Sequence, residues 1–152
     1  MTVLIVLAGG AAGLGVWSLA EYLLHRWGFH PTGAGRISSL IAREHLIHHR
    51  EPLRTSPLMR SLAWVGAVSV AAPVAMVGWI GVGFVAGWAL GYTAYDQLHW
   101  RAHHRSAPNR YEAWVRARHD RHHFGHPRRN YGVTTDVWDR VFGTRVSAGQ
   151  RP

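Results

Sequence analysis

MTVLIVLAGGAAGLGVWSLAEYLLHRWGFH, residues 1–30, decides how the rest of the chain is read. Its first twenty residues, Met1 to Ala20, carry no charge and are rich in Val, Leu, Ala and Gly. That is about the length needed to cross a hydrocarbon core of roughly 30 Å. No basic residue precedes the apolar run and no small-residue cleavage site follows it, so it reads as a retained span rather than a cleaved signal. Glu21 follows at once, then His25 and His30. An apolar helix that runs straight into histidines is the pattern to look for elsewhere.

It recurs once. Residues 61–95 form a second uncharged run, and as a single helix it would be about 52 Å long at roughly 1.5 Å per residue, too long for one crossing. Two crossings with a tight turn near Gly78 to Gly83 fit better, with Pro73 kinking the first arm in a way that neighbouring helices tolerate. The return arm leads through Asp96 into His99 and His103. The expected architecture is therefore all-α and integral to the membrane, one domain over residues 1–152. Its three transmembrane helices cover about 2–22, 61–78 and 82–98, with a helical cap over 25–60 and 99–146. Trp17, Trp64 and Trp100 fall near span ends, where indole favours the interface; Trp88 falls mid-span and requires a packing partner. Ser147 to Pro152 reads as a frayed tail.

Charge orients the scheme. All seventeen basic residues are arginine, and none lies in residues 1–25 or 61–100. The Arg-rich segments 26–60 and 101–151 then share one side, which the positive-inside rule makes cytoplasmic, with the N-terminus outside. The formal charge of +9 beside membrane spans reads as a surface facing anionic headgroups, not a nucleic-acid interface. The mean hydropathy of −0.09 is an average over these unlike segments.

The chain has no cysteine and twelve histidines. Disulfides, cysteine-ligated clusters and thiolate haem are excluded, and metal chemistry must use histidine and carboxylate. Ten histidines fall into four groups: His25 and His30; His45, His48 and His49; His99 and His103; His119, His122 and His123. In a helix, positions i, i+3 and i+4 share a face, so each H-x2-H-H triplet is expected to aim three imidazoles in one direction. Ile37 to Arg50 has helical periodicity and stops before Pro52. Arg110 to Phe124 has Asn109 as N-cap with Glu112 three residues on, and Gly125 and Pro127 at its end. His25 and His30, five apart, are about 140° around an α-helix, so they converge only if the helix ends between them, and Gly28 with Pro31 is the expected break. His104 and His126 break the spacing and are expected outside the core set. Glu21, Glu44, Asp96, Asp120 and Asp136 are candidate carboxylate partners for the imidazoles.

Solvated polar residues would explain one such pair; they do not explain two identical triplets with one-sided spacing. Ten neutral imidazoles exceed the four ligands of a structural zinc site and match two metals with five or six ligands each. The soluble helix-bundle alternative needs bridging glutamates and paired E-x-x-H motifs, which are absent. Bis-histidine haem leaves the triplets unexplained.

EYLLHRWGFH (21–30), EHLIHH (44–49), YDQLHWRAHH (95–104), RHDRHH (118–123) and NYGVTTDVWDRVFGT (130–144) resemble, in order and content, the motifs of the fatty acid hydroxylase and sterol desaturase superfamily. The closing segment most resembles the fatty acid 2-hydroxylase branch. The resemblance implies a cytoplasmic cap holding two metals, iron in the working form with zinc able to occupy the same ligands. It also implies O2-dependent hydroxylation of a lipid acyl chain. A separate electron donor, cytochrome b5-like or ferredoxin-like, is expected, because these residues contain no cytochrome b5 segment. A carotenoid ring hydroxylase and a sterol-type desaturase are alternatives with the same histidine site. A metal-binding or transport protein is the alternative without redox chemistry. It predicts polar ligands along a path through the spans, and residues 2–20 and 61–95 contain no histidine or acid.

Overall fold

The computed structural model describes residues 1–31, 36–54, 71, 74 and 76–147. Every regular element among them is helical. They are α1 (Thr2–Leu23), a π-helical turn (Leu24–Phe29), α2 (Arg36–Arg50), α3 (Trp79–His104), α4 (Arg110–Phe124) and the short α5 (Val137–Val141). Contacts divide the chain into two compact units, residues 1–20 with 56–94, and residues 21–55 with 95–152.

In the first unit, small residues let two helices meet backbone to backbone. A Cβ on Gly9 or Gly13 of α1 would strike the carbonyls of Ile80 and Phe84 on α3. Reciprocally, a Cβ on Gly83 or Gly87 would strike those of Val6 and Gly10. This small-xxx-small spacing is how apolar helices gain close packing where the hydrophobic effect contributes little. Later residues of α1 meet later residues of α3, so the two helices run parallel. Trp17 lies over Gly91 and meets Trp88 and Tyr92 edge-on, each at a 5.2 Å centroid distance. Trp88 thus has the partner its mid-span position demanded.

Continuous with its π turn, α1 forms a 28-residue helix, Thr2–Phe29, long and apolar enough to cross a membrane; it alone passes that test among the described residues. The expected second span, 61–78, lies mostly outside the described residues. The expected turn near Gly78–Gly83 is narrower. Met76 and Val77 form it, Gly78 takes the left-handed φ of 84°, and α3 has already begun at Trp79.

The second unit carries the histidines. α2 stops at Arg50, before Pro52. α4 begins as its sequence suggests: Asn109 Oδ1 accepts from the Glu112 N–H at 2.9 Å, and the Glu112 side chain accepts in return from Asn109 Nδ2 at 3.2 Å. The first bond satisfies a backbone N–H that a bare helix start would leave open, and the second holds the two side chains together. Gly125 caps the other end, donating to the Arg121 carbonyl. After α4 the chain folds back on itself. Asn130 adopts a left-handed φ of 54°, which Asn tolerates better than most residues. Its N–H donates to the Thr144 carbonyl at 2.9 Å, and its side-chain oxygen accepts from the Val146 N–H at 2.8 Å.

Candidate metal centre

All ten spaced histidines gather in the second unit, in two groups of five. The first holds His25, His30, His45, His49 and His122; the second holds His48, His99, His103, His119 and His123. In each group one nitrogen per ring lies within 4.8 Å of all the others.

The grouping corrects the expectation that each triplet points one way. Consecutive helical residues differ by about 100°, so positions i+3 and i+4 lie on opposite sides of position i. His45 and His49 of the α2 triplet join the first group, and the intervening His48 joins the second. The α4 triplet does the reverse, with His119 and His123 in the second group and His122 in the first. Each group is thus a pair from the π turn and its cap or from α3, an i, i+4 pair from one triplet, and one residue lent by the other. His49 and His123 stack across the two groups at 4.1 Å between centroids, 10° from parallel.

The first pair converges by a route that sequence spacing did not suggest. The helix does not end at Gly28. It widens, and the His30 N–H donates to the His25 carbonyl at 3.2 Å, five residues back. A π turn takes more residues per revolution, which brings i and i+5 to one side, and the rings of His25 and His30 stand 5.3 Å apart.

The Nε2 atoms crowd. In the first group His45 approaches His30 at 2.9 Å and His25 at 3.2 Å, while His30, His49 and His122 lie 3.1 Å from one another. In the second, His48 to His99 is 2.9 Å and His119 to His103 is 2.8 Å. Two imidazole nitrogens about 2.1 Å from one ion at right angles would stand about 3.0 Å apart. These separations match that spacing.

Protonation points the same way. His25 Nδ1 lies 2.5 Å from the Tyr131 carbonyl and His122 Nδ1 lies 2.8 Å from that of Arg129. A carbonyl only accepts, so both Nδ1 atoms carry the proton and both Nε2 atoms turn a lone pair inward. Lone pairs so arranged call for a cation between them. Burial holds the rings neutral. It lowers His30 to about 4, with the Arg128 charge adding to the effect, and His48 to about 4. Burial and neighbouring imidazoles lower His49 and His103 to about 3. His45, His119, His122 and His123 fall well below the ordinary value for the same reasons, burial first. Neutral rings are the form that binds metal.

The carbonyls that back His25 and His122 belong to the loop 129–134, which two buried carboxylates hold. Glu21 Oε1 accepts from the Val133 and Thr134 N–H groups at 2.6 and 3.0 Å, and Oε2 accepts from the Thr134 hydroxyl at 2.6 Å. Asp139, 0% exposed, accepts from the Tyr131 N–H at 2.8 Å, the Gly132 N–H at 3.0 Å, the Thr144 hydroxyl at 2.7 Å and Arg118 at 2.7 Å. Sequence reasoning assigned no role to Asp139, Arg118 or the loop carbonyls; Asp139 lies inside the 130–144 segment that carried the family resemblance. Of the acids singled out from sequence, Glu21, Asp120 and Asp136 bind groups other than imidazoles. Glu21 holds the loop, Asp120 pairs with Arg116 at the surface, and Asp136 pairs with Arg140 and Arg145; Glu44 and Asp96 are half-buried on α2 and α3. His104 and His126 stand outside both groups as expected, His104 bonding the Trp100 carbonyl at 2.9 Å.

Known proteins resemble this chain in sequence and in fold. The fatty acid hydroxylase family profile matches residues 10–144. The chain is 33% identical over 144 residues to the fatty acid 2-hydroxylase of Macaca fascicularis, covering 88% of this chain and 38% of that protein. It is also 33% identical over 144 residues to the ceramide very long chain fatty acid hydroxylase scs7 of Schizosaccharomyces pombe, covering 87% of this chain and 40% of that protein. The fold matches the hydroxylase domain seen in full-length scs7p with a TM-score of 0.75 at 27% identity, over 97% of this chain and 59% of that one. This chain therefore spans roughly two fifths of the length of those curated relatives. With five sequence motifs in order, two five-histidine groups and the matched fold, the chain belongs to the fatty acid hydroxylase family.

Proposed function

We propose that this chain is a di-iron, O2-dependent hydroxylase of lipid acyl chains, and that all ten grouped histidines are its metal ligands. The observation that carries the reading is the pair of five-imidazole groups at metal-ligand separations. Bound iron would supply the oxidising chemistry that an unactivated C–H bond requires, with O2 as oxidant and electrons from a separate reductant. The chain's residues do the rest. Neutral imidazoles offer lone pairs without competing protons, the carbonyls of Arg129 and Tyr131 fix two rings in the required tautomer, and the loop 129–134 covers one side of the first group against water. Zinc would occupy the same ligands in a purified sample, since affinity order favours it over ferrous iron, and would leave the protein inactive towards O2.

The names of the relatives favour an acyl chain over a carotenoid or sterol, and hydroxylation over desaturation. Two helices in parallel, α1 and α3, support an intervening crossing, because a chain leaving one must return along its length to enter the other the same way up. That favours the three-span scheme, with the Arg-rich segments on the cytoplasmic side. In this cysteine-free chain, Cys introduced at Met76, 86% exposed, should label from the side opposite to Cys introduced at Ser106. Labelling from one side would remove the crossing.

The reaction is tested with iron-loaded protein, a reductant and 18O2. An acyl product carrying one heavy oxygen is expected. A product two hydrogens lighter without label, or oxygenated carotenoid as the sole product, would overturn the assignment.

A further inference from the structure

We propose that Asp139 is a positioning residue that tunes one metal of the two, the ion held by His25, His30, His45, His49 and His122, while leaving the other group alone. The proposal rests on the metal reading above and deepens it. Asp139 touches no imidazole. Its Oδ1 accepts from the Tyr131 N–H and its Oδ2 from the Gly132 N–H, so it fixes the two peptides that flank the Tyr131 Cα, and the second of them carries the Tyr131 carbonyl. That carbonyl accepts from His25 Nδ1, and the Arg129 carbonyl, two residues back, accepts from His122 Nδ1. Two of five ligands in the first group are therefore oriented through a loop that Asp139 pins at residues 131 and 132, with Glu21 holding residues 133 and 134.

Two rings of the second group lack such support. Nδ1 of His119 and Nδ1 of His123 are buried without a hydrogen-bond partner among the described residues. Four of the second group's rings come as i, i+4 pairs from α3 and α4, and His48 of α2 supplies the fifth. Neutralising Asp139 should act on one site and not on both, which a general structural role would not do.

Asp136 provides the control. It is also buried, at 6% exposed, on the same short segment, but its carboxylate binds Arg140 and Arg145 and not the 129–132 amides.

The test uses the intact chain in detergent, loaded with Co2+ or Zn2+ alone, with bound metal and dissociation constants read by chelator competition and the Co2+ visible spectrum. Wild type should take two equivalents. Asp139→Asn should hold one as before and bind the other about 10- to 100-fold more weakly, the usual range for disturbing a partner of a ligating histidine. Asp136→Asn should keep both. Double variants identify the site: beside His103→Ala, Asp139→Asn should weaken the remaining ion, and beside His45→Ala it should not. Equal weakening of both ions, equal effects of the two Asn variants, or no weakening would overturn the proposal while leaving the two-metal reading intact. A wild-type chain taking fewer than two equivalents would overturn that reading instead. Should Asp139→Asn not be recovered folded, Gly132→Ala tests the same coupling, since its added Cβ would press on the Thr135 carbonyl and Asp139 Oδ2. Selective weakening of one ion is again expected, and uniform weakening would contradict it.

Discussion

The two histidine groups use the same ligand plan and are held by different means. Each takes a pair from one long helix, an i, i+4 pair from a triplet and a single residue from the other triplet. In the second group both pairs follow α-helical i, i+4 spacing, and packing of α2 brings His48 to them. The first needs a π turn to bring His25 and His30 together, and a loop more than a hundred residues away to orient His25. One centre is thus written in local spacing and the other in tertiary structure, so the same disturbance should reach them unequally.

The largest effect should follow loss of a ligand. His122→Ala removes one donor from the first group and its bond to the Arg129 carbonyl, and should cost one metal equivalent and all hydroxylation. His126→Ala should keep most of both. Metal analysis beside product formation checks the pair; equal losses would redraw the ligand set.

Acid should act on both groups alike. His30 and His49 in the first, and His48 and His103 in the second, are held at about 3 to 4, against about 6.5 in the unfolded chain. Below that value the unfolded state binds protons that the folded, metal-free state refuses, so stability falls as pH drops from about 6.5 towards 4. Thermal unfolding of metal-stripped protein at pH 7 and pH 5 should show the fall. A higher midpoint at pH 5 would contradict neutral, buried rings.

Asn130→Ala separates the groups more gently. A left-handed φ costs a residue such as Ala roughly 1–2 kcal/mol, and the staple to Val146 is lost with it. The first-group ion should weaken, by less than Asp139→Asn produces, with the second unchanged. Metal titration decides, and equal weakening would mean that the loop supports both.

The smallest effect on the metals should come from the other unit. Gly87→Leu would push against the Gly10 backbone and destabilise the α1–α3 contact by about 1–3 kcal/mol, with both metal equivalents retained. A lower unfolding midpoint at unchanged metal content is the expected result; loss of one ion alone would tie that group to the glycine contact.

What the sequence made legible follows the same division. The cap of α4 was readable because Asn109 and Glu112 are three residues apart, and membership of all ten histidines was readable from spacing. The assignment of His48 to one group and His49 to the other was not, because a face is defined only against what it faces. The π turn was invisible because LHRWGF has no residue that demands it. Asp139 reads locally as a charged residue in a short amphipathic turn, and its four hydrogen bonds appear only when the chain returns over α4. The turn at Gly78 was legible to within a few residues from its glycines. The span expected at 61–78 lies mostly outside the described residues.

The central claim is that ten imidazoles form two separate five-ligand metal sites. It is tested most directly by elemental analysis of fully loaded wild-type protein beside His45→Ala and His103→Ala, each of which removes a ligand from one group only. Two metals per chain in wild type and one in each variant is the predicted result. One metal per chain in wild type, or loss of both metals from either single substitution, would contradict it.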